Sequence, residues 1–259
     1  MMTMSARVIL SFVVTLACSM KPARAEESSV PPLNGIVLEA VRAMPREGVY
    51  STSTTANRAL REAVGTSGGI LSVNSSMAIP SYCSEATYLV FLKVLSKLQA
   101  DHQLVILPGT LPALRPSGQP DGTGIWGRWN ANGPGTARLF YELGLGPNFT
   151  DLSHARPGDF LKLFWNDGIG ASEHGHSVIF LGNEIRGGVG YLRFWSSNIP
   201  AGYGEKSVPV TRIHRMLFSR LENPEAVNRS LPRSDGYLSS LEHRSSSIAE
   251  MERQCGIFR

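Results

Sequence analysis

A chain of 259 residues, 42% hydrophobic and 18% charged, has enough apolar material for a substantial core and lacks the composition of a disordered polymer. Three of its 25 Lys and Arg (Arg7, Lys21 and Arg24) lie in the first 25 residues, where there is no Asp or Glu, so the formal charge of +4 shrinks to near zero over the rest. With no basic run and no basic stripe interleaved with aromatics, nucleic acid is not an expected partner.

Residues 1–25 read as a secretory signal peptide: Arg7, an apolar stretch over 8–17, and Ala23-Arg24-Ala25 as the cleavage site. The expected destination is secreted or periplasmic. Thr15-Leu16-Ala17-Cys18 loosely resembles a lipoprotein box, so membrane association is expected only if Cys18 is acylated. A polar linker follows to residue 32. Apolar spacing at Ile36, Leu38, Val41 and Met44 predicts a helix over 33–44. A second is predicted over 54–64, started by Thr54 or Thr55 and stopped by Gly65.

After a loop at 68–76, a mostly buried helix runs from Cys83 to about Asp101. Residues 108–135 are rich in Pro and Gly and predict a long, shaped surface loop. Residues 136–143 read as a helix ended by Gly144. The pattern then turns to strands at 159–165, 176–181 and 189–195, the last two joined by a turn ending in Gly187-Gly188. A further strand is expected at 207–210 and a helix at 211–221. Residues 229–259 are rich in Ser and Arg and read as a polar, frayed tail. Helices first and strands afterwards predict an α+β domain over 26–228, with helices packed on an antiparallel sheet.

Cys83 carries the chemistry. A thiol in the first turn of a helix meets the positive end of the helix dipole and unpaired N–H groups, both of which favour thiolate. His176, at the start of an apolar strand, is the expected base, and His174, two residues earlier, is a candidate rim residue of the substrate site. An orienting group for the imidazole is expected on the neighbouring strand. Ser196 and Asn198 share one face by alternation there; Asn198 is preferred because its amide oxygen can accept from the imidazole Nδ1–H, with Ser196 as the alternative. No CxxC or HExxH pattern is present, so neither a metal nor a cofactor is expected. The other reading of Cys83 is a disulfide to Cys255.

These positions resemble the papain-like NlpC/P60 superfamily of bacterial cell-wall cysteine peptidases. The resemblance rests on Tyr82-Cys83-Ser84-Glu85 at a helix start, Pro157-Gly158-Asp159 before a hydrophobic strand, and His176 opening a strand that closes on Gly182. Tyr82 stands where the family has Asp, and Glu85 where it has Gly. The resemblance implies the papain-like NlpC/P60 fold and a Cys-His hydrolase of amide bonds, with cell-wall peptide as substrate. Trp126, Arg128, Trp129, Asn130 and Asn132 read as a substrate wall, with Arg128 clamping a carboxylate; the alternative has the tryptophans plugging the core. Tyr82 is a candidate oxyanion donor, and Asp159 and Glu173 read as surface charges. The competing functions are a papain-like lipid acyltransferase or thioesterase, and a non-catalytic scaffold held by the Cys83–Cys255 disulfide.

Overall fold

A computed structural model describes residues 32–258; the leader, its cleavage site and Cys18 lie outside them. The described chain is α+β. Helices α1 (Pro32–Arg42) and α2 (Thr54–Ala63) come first, and a small two-stranded ribbon of β1 (Val64–Gly65) and β2 (Ser72–Val73) follows. Next come α3 (Cys83–Ala100), α4 (Thr110–Leu114), α5 (Gly124–Asn130) and α6 (Gly135–Leu143). The main sheet comprises β3 (Asn148–Phe149), β4 (Phe160–Phe164), β5 (Gly175–Arg186), β6 (Val189–Asn198), β7 (Gly202–Pro209) and β8 (Arg215–Ser219). The chain ends in α7 (Gly236–Ser240) and α8 (Ile248–Gln254). The six strands run in the order β3-β8-β4-β5-β6-β7, and every pair is antiparallel.

Helix α3 is the central element. It is apolar on nearly all sides, from Ala86 through Leu98, which is the pattern of a helix enclosed by protein. It packs on β5 and β6 on one side and on α1 and α5 on the others. Its residues share a core with Val37 of α1, Leu60 of α2, Trp129 of α5, Phe140 of α6, and Phe160, Ile179 and Trp195 of the sheet. The opposite face of the sheet buries a separate cluster with Leu161, Leu163, Val178, Phe180, Phe194 and Phe218. The strands therefore carry apolar residues on both faces, which explains their near-continuous hydrophobic runs.

The β5–β6 hairpin turns on Gly187 and Gly188, with φ of 54° and 80°, conformations that glycine adopts without penalty. Gly158 also has positive φ (96°), and a Cβ there would stand 2.6 Å from the Asn34 carbonyl oxygen. The close approach lets Asn34 Nδ2 reach Asp159 Oδ1 at 2.8 Å, while Arg220 grips both carboxylate oxygens at 2.8 Å. Asp159 is thus a fully buried anchor joining α1, β4 and the segment after β8, not a surface charge. Glu173 is likewise an anchor: it pairs with Lys162 at 2.7 Å and accepts from the Gly170 and Gly133 N–H groups.

Three expectations from the sequence give way. The helix expected at 211–221 is β8, whose Leu161↔Phe218 register continues the sheet; pairing with the edge of β4 outweighs the weak helical pattern. The loop expected at 108–135 contains α4 and α5, because Trp126 and Trp129, three residues apart, dock together into the core beside Tyr88. The tail expected to fray is packed. Tyr237, Leu238 and Leu241 form a cluster with Ala131, while Met251 and Cys255 join Phe164, Ile169 and Leu217. Arg138 ties this segment to α6 through Asp235 at 2.7 Å and the Gln254 carbonyl at 2.7 Å.

Candidate active site

Cys83 is the first residue of α3, with Tyr82 extended just before it. The preceding segment is held on both sides: Ser81 N–H donates to the Val49 carbonyl, and Ser51 N–H donates to the Ser81 carbonyl, both at 3.0 Å. Ser81 is also fixed to the sheet, its hydroxyl 3.0 Å from Ser197 Oγ. Cys83 is therefore presented by a helix end clamped to β6, as a half-buried residue.

His176 lies one residue into β5. The register that pairs Ile179 with Trp195 and Phe180 with Phe194, continued by three residues, brings His176 level with Asn198. Its Nε2 lies 3.2 Å from Asn198 Oδ1. Asn198 is itself fixed, donating to the Ser196 carbonyl at 3.0 Å and the Gly204 carbonyl at 2.9 Å, so its oxygen is the atom turned to the ring. The imidazole also packs edge-on against Phe194 at 5.7 Å. Asn198 therefore meets Nε2 and not Nδ1, the nitrogen expected from the sequence, which leaves Nδ1 available to Cys83. The Ser196 hydroxyl does not compete for the ring: it is buried and donates to the Ser177 carbonyl at 2.7 Å.

Burial alone would raise the Cys83 pKa. The His176 hydrogen bond and positive charge, the Ser177 N–H and the charge of Lys162 together outweigh it and bring the pKa down to about 7. Tyr50 is a member of the site that sequence reasoning missed. Its hydroxyl hydrogen-bonds Cys83, and burial followed by the Cys83 charge holds its pKa above the usual tyrosine range, so it stays a neutral donor. Tyr50 arrives through a bridge to Ser81 and through its N–H to the Pro200 carbonyl at 3.2 Å, long-range contacts with no local sequence signal. Beneath the thiol lies Glu85, fully buried, with Oε2 accepting from Tyr82 N–H at 3.3 Å and Oε1 without a hydrogen-bond partner. Burial, reinforced by the Cys83 charge, raises its pKa to about 8, so this carboxyl is mostly neutral at pH 7.

The expected substrate wall is not a wall. Trp126 and Trp129 are 3% and 1% exposed, and Trp129 stacks on Phe91 at 5.0 Å. Arg128 is wholly buried, bound to Glu142 at 2.6 Å and to the Gly124 and Pro232 carbonyls at 3.0 and 2.9 Å. A guanidinium satisfied in this way is a clamp for α5, α6 and the C-terminal segment and cannot grip a substrate carboxylate. Tyr82 gives its hydroxyl to Asn57 Oδ1 at 3.0 Å, which removes it as the oxyanion donor. Asn130 accepts from Ser84 Oγ at 2.6 Å, placing it beside the Cys83 turn, and Asn132 holds Asp121 through its backbone N–H at 2.9 Å.

A cleft of about 650 Å³ adjoins His176 and is lined by Tyr50, Trp165, His174, His176, Phe194 and Asn198 among others, with Cys83 outside its lining. His174 lines this cleft two residues before His176. Both cysteines are free, so no disulfide joins them; Cys255 belongs to a different cluster, 1% exposed, where burial pushes its pKa up to about 12. No helix among the described residues is long and apolar enough to cross a membrane. Compared with known protein families, with curated proteins and with solved structures, the chain matches none.

Proposed function

We propose that this chain is a cysteine hydrolase of amide bonds, acting by Cys83-His176-Asn198 catalysis on a papain-like fold of the NlpC/P60 type. One observation carries the reading: a low-pKa thiol at a helix start faces an imidazole whose other nitrogen is held by a buried, fully engaged asparagine. A structural thiol needs none of these arrangements, whereas a nucleophile needs all of them.

In this mechanism the Cys83 thiolate attacks the carbonyl carbon and the carbonyl electrons move onto oxygen. In this reading the first-turn N–H groups of α3 and the neutral Tyr50 hydroxyl receive that oxyanion, a contribution of about 10²–10³ in rate. The His176 imidazolium passes its proton to the departing amine, and the C–N bond breaks. His176 then takes a proton from water, which attacks the thioester, releases the acid and restores the thiol. General acid–base catalysis of this kind supplies about 10²–10⁴. Asn198 keeps the ring in one orientation throughout.

Cell-wall peptide is the proposed substrate. It is supported by the export leader read in residues 1–25 and by the ordered likeness of Cys83, Pro157-Gly158-Asp159 and His176 to wall peptidases. The test is mass analysis of muropeptides incubated with the wild-type chain and with Cys83→Ala. The expected result is products gaining one water, with a new amine and a new carboxyl, in the wild-type digest alone. Identical digests from the two proteins would overturn the reading.

A further inference from the structure

The cleft beside His176 has a charge pattern that the catalytic residues do not use. Lys206 and Arg212 line it, and no carboxylate is among its lining residues. Lys206 stands opposite Phe194 in the β6–β7 register, hence on the same face of the sheet as the ring against which His176 packs. Arg212 follows directly, at the end of the short 3₁₀ turn Val210–Arg212 after β7. Among the described residues neither cation makes an ion pair, and the Lys206 ammonium donates only to the Ile199 carbonyl at 2.9 Å.

The nearby acids are committed elsewhere. Glu205 lies on the opposite face and pairs with Arg193 at 3.1 Å, and Asp167 holds Arg215 at 3.0 Å and His214 at 3.3 Å. Two uncompensated cations therefore share a cleft with the candidate nucleophile's base, walled by the aromatic faces of Trp165 and Phe194.

We propose that this cleft binds a substrate carboxylate through Lys206 and Arg212, so that the enzyme selects acidic peptides whose carboxylate reaches the cleft beside His176. This rests on the hydrolase reading above and assigns to Lys206 and Arg212 the role that the buried Arg128 cannot fill. An ammonium supplies a point charge, a guanidinium a planar two-donor fork, and the low-dielectric aromatic walls strengthen both.

The test compares two alkylating reagents on the full-length chain. Iodoacetate and iodoacetamide both transfer a carbon to the Cys83 sulfur with loss of iodide and differ in one negative charge. For wild type and for Lys206→Gln/Arg212→Gln, the quantity read is the ratio of the iodoacetate rate to the iodoacetamide rate at Cys83. At low ionic strength the double variant should lower that ratio about tenfold, and added salt should lower the wild-type ratio toward the variant's. The iodoacetamide rate itself should be nearly the same in both proteins. An unchanged ratio with fast iodoacetamide labelling overturns the carboxylate site and leaves the hydrolase reading standing; slow iodoacetamide labelling of wild type at neutral pH overturns the hydrolase reading itself.

Discussion

The molecule contains the same side chain in two opposite settings. Cys83 begins a long helix, with the N-terminal dipole, an imidazole and a tyrosine hydroxyl around its sulfur, and its pKa falls to about 7. Cys255 caps the end of α8, with the carbonyl end of that helix behind it and Phe164, Leu217 and Met251 around it, and its pKa rises to about 12. Both are buried enough to lose hydration. What separates them is whether fixed positive charge and N–H donors replace the lost water. Burial makes a thiol inert unless the fold supplies that replacement.

The contrast fails or gains definition under specific substitutions. Cys83→Ala should abolish amide hydrolysis while leaving thermal unfolding within a few degrees of wild type, because the change is small; residual turnover in a chromatographic peptide assay would break the assignment. His176→Ala removes the main influences that lower the thiol pKa. Iodoacetamide labelling of Cys83 at pH 7 should then fall roughly fiftyfold, the change in thiolate fraction between pKa values near 7 and near 9. Asn198→Ala should reduce turnover about tenfold by freeing the ring, with little change in the substrate KM, and Asn198→Asp should recover part of the loss.

Glu85→Gln probes the carboxyl beneath the thiol. Glu85 has a folded pKa raised to about 8 from 4.5, so the folded state holds a proton that the unfolded state has released between those values. Its contribution to stability is present below pH 4.5 and is lost as the pH rises to about 8. Denaturant unfolding across this window should show a loss of a few kcal/mol at most in wild type and a flatter profile in the glutamine variant. Cys255→Ala should have the smallest effect on function. It should leave turnover unchanged and cost about 1 kcal/mol of stability from the small cavity; a loss of turnover would mean that the second thiol is not the inert one.

The placement of the candidate residues was legible because its signals are local. A cysteine ahead of an apolar helix, a histidine opening an apolar strand and an asparagine on the alternating face of the next strand can each be read within a few residues. The atom-level detail was not: the asparagine meets Nε2, leaving Nδ1 for the sulfur, the reverse of a pairing through Nδ1. Tyr50 was invisible, since its place depends on a bridge to Ser81 and a bond to Pro200 that no spacing encodes. The Gly- and Pro-rich stretch around Trp126 announced turns correctly but not that its two tryptophans and Arg128 face inward. Composition was similarly misleading in the C-terminal segment. Its Arg and Ser side chains looked solvated, yet Arg229 caps the Leu143 carbonyl at 2.8 Å and Ser246 binds Tyr237 and Glu250.

The most direct measurement is the pH profile of iodoacetamide labelling, resolved by cysteine with peptide mass spectrometry on the native full-length chain. The account predicts half-maximal labelling of Cys83 near pH 7 and no labelling of Cys255 below pH 9. Cys83 labelling only above pH 8.5, or both cysteines labelling together, would contradict it.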